Sequence, residues 1–281
     1  MRARVALTVG IVGFLVLICA GCAGVPVGDE SPPRVGECFW LDQPAETRSV
    51  SHSTPAVTCT DAHTHETFAV AAVGGDLARQ ATRPMPAALL QQQSTLCSVT
   101  ALRRYLAATE TDAVRGVEVR ATFPSEEAWA RGDRWTRCDV VTVDQGPDGV
   151  STGPVLGRRS LAGVMPTKES ADLRTCYRQA PDGRGRWDRT GVPVACSQPH
   201  SSQDVGAWLR IGTLDDTTVA GLARACGRHV DAYLGGSAKK RGLVAVGVLV
   251  GEGADQVRCS VGRDSRRGDT DDVIPRGDDG R

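Results

Sequence analysis

Aromatic side chains, lysine and any imbalance of charge are what this 281-residue chain has least of. Phe, Trp and Tyr make up 4% of it, so its cores must be built mainly from Val, Leu and Ala, which bury less area per residue. Asparagine is absent, and Lys168, Lys239 and Lys240 are the only lysines, so arginine carries nearly all the positive charge. Thirty-three basic residues balance 33 acidic ones, and a net charge of +0 provides no overall field to draw in nucleic acid. No apolar run reaches the ~20 residues of a comfortable spanning helix. No Walker A sequence or dinucleotide-binding glycine fingerprint occurs. Catalysis by a serine or cysteine nucleophile is not expected, and no cofactor is called for.

What the chain does have is cysteine in a pattern. Cys38, Cys59, Cys97 and Cys138 are followed by Cys176, Cys196, Cys226 and Cys259, with gaps of 21, 38 and 41 residues and then 20, 30 and 33. An even count at matched spacings reads as a disulfide framework on a duplicated module. Eight cysteines allow 105 pairings, and three times three if each unit folds alone. The arrangement adopted pairs neighbours: Cys38 with Cys59, Cys97 with Cys138, Cys176 with Cys196, and Cys226 with Cys259. Paired in this way, none remains as a free thiol nucleophile.

The N-terminus points to the same oxidising compartment. Arg2 and Arg4 precede an apolar run from Val5 to Ala20, the layout of a signal segment. Its end, Leu17-Ile18-Cys19-Ala20-Gly21-Cys22, resembles a bacterial lipobox, although Cys19 stands where leucine is usual. Residues 1–21 are therefore expected to be removed, and Cys22 to be acylated and hold the protein on the outer face of the cell membrane. Each buried methylene of such a chain contributes about 0.8 kcal/mol.

Residues 22–35 read as a flexible tether and 36–143 as a first domain. Residues 144–170, opening Asp144-Gln145-Gly146-Pro147-Asp148-Gly149, read as a linker, 171–262 as a second domain, and 263–281 as a disordered tail. Both domains open on a cysteine followed by an aromatic, Cys38-Phe39 and Cys176-Tyr177. Both then reach a β-prone run ending in cysteine, with a histidine four positions later, His63 and His200. In the second, Val219, Leu222, Cys226, Val230 and Tyr233 recur at helical spacing. In the first, Leu89, Leu90, Cys97, Ala101 and Tyr105 do the same. The fold class expected is α+β: two tandem disulfide-stabilised domains, each a mostly antiparallel sheet with one main helix.

The motifs Gly36-Glu37-Cys38-Phe39, Val57-Thr58-Cys59 with His63 and Glu66-Thr67-Phe68, Cys97, and Pro124-Ser125, Trp129, Gly132-Asp133-Arg134 and Cys138 resemble the actinobacterial septum formation domain family. The second unit keeps Cys176-Tyr177, Cys196-Ser197-Gln198-Pro199-His200, Cys226 and Cys259. It lacks the glycine before its first cysteine and the Pro–Trp–Gly-x-Arg segment. The resemblance implies an extracytoplasmic, membrane-attached, non-enzymatic domain tied to cell division.

Candidate binding chemistry is sparse. His63, His65 and Glu66 carry ligand types suited to zinc or copper, but the second unit has Ser202 and Gln203 in place of His65 and Glu66. The recurrent His63 and His200 read first as turn residues bonding backbone. Trp40, Trp129, Trp135, Trp187 and Trp208 are as much core candidates as interface anchors. The function expected is a non-enzymatic envelope lipoprotein that binds an envelope protein or cell-wall component. The alternative is a small-ligand or metal receptor using His63, His65 and Glu66 or a cleft between the units.

Overall fold

In the computed structural model the described residues are 32–41, 51, 54–146, 151–180, 189–250 and 254–263. Cys22 with the signal segment, Trp187 and the tail beyond Arg263 lie outside them. Period-2 runs of Val, Ala and Thr build two antiparallel sheets. The first half contains β1 (Cys38–Phe39), β2 (His65–Ala72), α1 (Gly75–Ala78), α2 (Pro86–Gln92), α3 (Val99–Tyr105), β3 (Val117–Thr122), α4 (Glu126–Ala130), β4 (Trp135–Gln145) and β5 (Ser151–Pro154). Its strands lie in the order β1-β2-β4-β3, with β5 paired to β4. The second half contains β6 (Thr175–Arg178), β7 (Val192–Ala195), β8 (Ser202–Arg210), α5 (Val219–Tyr233), β9 (Leu243–Leu249) and β10 (Gln256–Arg263), in the order β7-β6-β8-β10-β9.

The two orders correspond. Val57 bridges Cys38 where β7 pairs with β6, so both sheets run bridge or strand, opening strand, long strand, closing strand, penultimate strand. The α+β class with antiparallel sheets and disulfides is the observed one. Two strands escaped the cysteine pattern: β3 and β9 carry no cysteine, yet each pairs along the closing strand of its half.

Helix α5 shows why the apolar stripe mattered. The Thr218 side chain accepts from Gly221 N at its start, and Leu222, Cys226, Val230 and Tyr233 are buried. They pack into one cluster with Val205, Val257 and Val261 of β8 and β10. Gly247 on β9 permits the approach, since a Cβ there would lie 2.6 Å from Leu222 Cβ. In the first half the single helix expected is broken in two. A turn at Gln93–Ser98 separates α2 from α3, and Ser98 restarts the helix by accepting from Ala101 N. Cys97 sits in that turn rather than on a helical stripe.

Disulfides join Cys38 to Cys59, Cys97 to Cys138, Cys176 to Cys196 and Cys226 to Cys259, with Cα separations of 5.3, 5.2, 5.0 and 5.2 Å. The second and fourth tie the helical layer to the strands β4 and β10. Loops of this size contribute about 3–4 kcal/mol each on the chain-entropy model.

The stretch read as a linker does more than connect. β4 continues through Gln145, β5 returns along it, and Leu161, Val164 and Met165 enter the core of the first half with Phe68, Leu102 and Leu106. The described residues from Pro32 to Arg263 fall in one compact unit. Backbone bonds cross between the halves from Arg115 N to Leu173 O and from Thr175 N to Ala113 O, each 2.9 Å. At this seam the buried Arg174 guanidinium meets Asp112 Oδ1 at 2.7 Å, Ser170 Oγ at 2.7 Å, the Tyr233 hydroxyl at 3.3 Å and Met165 O. Gly206, at φ +76°, lets β8 lie against Thr111, whose carbonyl carbon and oxygen would be 2.8 Å from any Cβ.

Removing one partner from a buried pair strands the other charge. Asp112→Ala should therefore lose about 3–5 kcal/mol in urea unfolding. A loss under about 1 kcal/mol, typical of an exposed pair, would contradict that role. Removing both cysteines of the Cys226–Cys259 pair should cost about 3–4 kcal/mol, and an unchanged urea midpoint would count against a structural crosslink.

Candidate binding site

Strand alternation decides the fate of the histidine–glutamate cluster. His63, His65 and Glu66 are all buried, but β2 sends successive side chains to opposite faces. Glu66 turns toward the helical layer and the segment after β5. There it accepts from the Tyr105 hydroxyl at 2.6 Å, the Ser160 hydroxyl at 2.5 Å and Leu161 N at 2.7 Å. His65 turns toward the face that carries Asp139 and Arg137, with Nδ1 2.8 Å from Thr64 Oγ1. The three do not converge as a ligand set. Among the described residues, the groups whose potential ligand atoms do gather are Cys176, Cys196 and His200, and Cys38, Cys59 and Glu66. In both, the sulfurs are joined as disulfides, which removes the thiolates a metal would need.

The corresponding residues of the second half show what Glu66 does. Gln203 on β8 donates to the Tyr233 hydroxyl at 2.6 Å, so a Glu–Tyr pair in one half stands where a Gln–Tyr pair stands in the other. Burial, then the bond to Glu66, pushes the Tyr105 phenol above its ordinary value. His63 and His200 also match. Nδ1 of each donates to the carbonyl two residues earlier, Asp61 O at 2.9 Å and Gln198 O at 2.7 Å. Both serve the turn after the second cysteine of their half.

Between the halves lies a cleft of about 500 Å³. Its walls come from the end of β4, the 155–159 segment and β7, with Val140, Leu161, Leu173 and Val194 supplying apolar surface. That volume is within the usual range of ligand pockets, about 300–1,000 Å³. Arg115, Arg158, Arg159 and Arg178 line it against Glu66, Asp144 and Asp172. Burial lowers the Arg115 pKa, an effect Asp144 opposes. A larger hollow of about 780 Å³ in the second half is lined by Arg178, Arg189, Ile211, Leu222 and Leu249.

Sequence reasoning missed this lining, since Arg115 and the 155–159 segment belong to no cysteine motif. It also missed that Gly149-Val150-Ser151-Thr152-Gly153 has Gly-x-Ser-x-Gly spacing. An elbow needs its serine on a strand-to-helix turn. Ser151 instead opens β5, opposite Gln145 on the neighbouring strand, so the spacing is not a nucleophile elbow. Of the tryptophans, Trp129 is fully buried, donates to Gln80 O and packs under Arg134, and Trp135 is also core. Trp40 and Trp208 are each 48% exposed. No helix among the described residues is long and apolar enough to cross a membrane.

Two antiparallel sheets of matching order, four disulfides and a ligand-sized cleft at their seam define a crosslinked α+β protein with binding geometry. The family model described as "Septum formation" matches residues 35–246, from just before Cys38 into β9, and the chain belongs to that family. This match spans both halves. No curated protein and no solved structure matches it.

His65 sets a pH dependence. Burial lowers its pKa from 6.5 to about 4, against the pull of Asp139, so the unfolded chain takes up the proton first on acidification. Its neutral form therefore contributes stability fully above about pH 6.5, and the contribution is lost as pH falls toward 4. The wild type should be about 2 kcal/mol less stable at pH 5 than at pH 7, relative to His65→Gln measured in the same way. Equal pH responses of the two proteins would contradict this.

Proposed function

We propose that this is a non-enzymatic, extracytoplasmic binding module of the division envelope, carried on the membrane by a lipid at Cys22. Membership of the septum formation family supports the link to septation. Disulfides persist in oxidising compartments, and four of them support export, together with the Arg2–Ala20 segment and Ala20-Gly21-Cys22. The matching strand orders and the Glu66–Tyr105 and Gln203–Tyr233 pairs support two divergent copies of one module.

The observation that carries the binding reading is the cleft between the halves. Reactive side chains near it are already committed to structure: Glu66 to three donors, His63 to a turn carbonyl, Asp172 to Arg159 at 3.4 Å. That favours recognition over chemistry, and a cleft built from both halves favours a ligand held between them rather than the His63–His65–Glu66 metal site.

In native cells the protein should sit in the membrane fraction and concentrate at the septum, and Cys22→Ala should abolish its acylation. In-cell crosslinking should recover an envelope partner through residues lining the cleft. An even distribution around the cell, with crosslinks only to surfaces remote from the cleft, would refute the proposal.

A further inference from the structure

Two arginine nitrogens at the cleft carry the argument further. Arg115 Nη1 and Arg159 Nε are shielded from solvent and have no hydrogen-bond partner. Both belong to side chains that line the cleft. Of their other donors, Arg115 Nη2 bonds Gln145 O at 3.2 Å, and Arg159 Nη2 bonds Glu169 O and Asp172. An unpaired donor shielded from water is destabilising, the more so when its group is charged. Two such donors at one cavity call for an acceptor, and the strongest acceptor for a guanidinium is an oxyanion.

Charge around the cleft agrees. Asp172 is engaged by Arg159, Asp144 acts on Arg115 from nearby, and Glu66 is held by Tyr105, Ser160 and Leu161 N. Arg158 and Arg178 remain exposed on the rim, with Val155 and Leu156 exposed beside Arg158. Acceptors, cations and aliphatic surface thus occur together. Pro193, Val194 and Ala195 of β7 line the second-half wall with Ser197 and Gln198. An acyl chain there would leave these polar groups without partners, whereas a peptide backbone can bond to them. Pro193 has no N–H, and proline within sheets is confined mainly to edge strands, so β7 is poorly suited to adding a full strand. A short terminus inserted end-on suits the cleft better than a strand laid along it.

We infer that the cleft binds the free C-terminal carboxylate of a peptide ending in small aliphatic residues, with Arg115 and Arg159 gripping the oxyanion. This rests on the proposed role of the cleft as the partner site. The carboxylate accepts from the guanidinium groups of Arg115 and Arg159, Val140 and Val194 pack against the terminal side chains, and Arg158 and Arg178 draw the anion to the mouth.

The test titrates the full-length protein in detergent with acetyl-Ala-Leu-Val as the free acid and as its C-terminal amide, followed by calorimetry. Octyl phosphate and octanoate serve as lipid-like controls. The acid should bind at least about tenfold more tightly than the amide. Arg115→Met should reduce the acid to the level of the amide while leaving the amide unchanged. If Arg115→Met fails to fold by circular dichroism, the acid–amide comparison on the wild type and the rim variant Arg178→Met, expected to weaken the acid a few-fold, still decide the question. Equal binding of acid and amide would overturn the carboxylate grip while leaving the cleft as a binding site. Tighter binding of octyl phosphate or octanoate would overturn the peptide class. Failure of every probe would overturn the inference, and the proposed function would then stand or fall on the crosslinking result.

Discussion

The contact on which the rest depends is the Arg174 guanidinium, buried at the seam. It lies at the end of the segment joining the halves and bonds Asp112 and Met165 O on one side and the Tyr233 hydroxyl on the other. A guanidinium is costly to bury and is tolerated only when its donors are satisfied. Here they are satisfied by groups from both halves and from the connector, so the halves cannot separate without exposing an uncompensated set of polar groups. Tyr233 couples this node to the second sheet through Gln203, and Glu66 with Tyr105 builds the matching pair of the first. The cleft follows from this docking, since its walls belong to both halves.

Arginine dominance in the composition takes on a structural meaning at this point. With few aromatics to fill cores, the protein uses guanidinium groups as multidentate fillers at Arg174, Arg134 and Arg137, each bonded to carbonyls or carboxylates or stacked on a ring. Lysine, with its single compact charge, would not satisfy so many acceptors. The disulfides take up a second share of the load by pinning the helical layer to strands β4 and β10.

Much of the fold was legible because cysteine spacing and apolar periodicity are local signals. The α5 stripe and the opening strands β1 and β6 follow from a few residues each. The strands β3 and β9 were not legible, because they lack cysteine and define themselves only by pairing with a strand further along the chain. The break between α2 and α3 was hidden because Leu89, Cys97 and Tyr105 keep helical spacing across a turn. The role of residues 144–170 was masked by a glycine- and proline-rich opening, although Leu161, Val164 and Met165 are core. The cleft was the least legible feature. Arg115 and Arg159 share no motif, and the cavity they line is completed only by β7 of the second half.

If the halves are one body, their backbones must open together. Native-state hydrogen exchange of the full chain, read by mass spectrometry, compares the slowest amides of β2 and β4 with those of β8 and β10. The account predicts a common opening free energy for the two sheets, reduced in both alike by Asp112→Ala. Opening of one sheet at several kcal/mol below the other in the wild type, with its partner unaffected by Asp112→Ala, would contradict it.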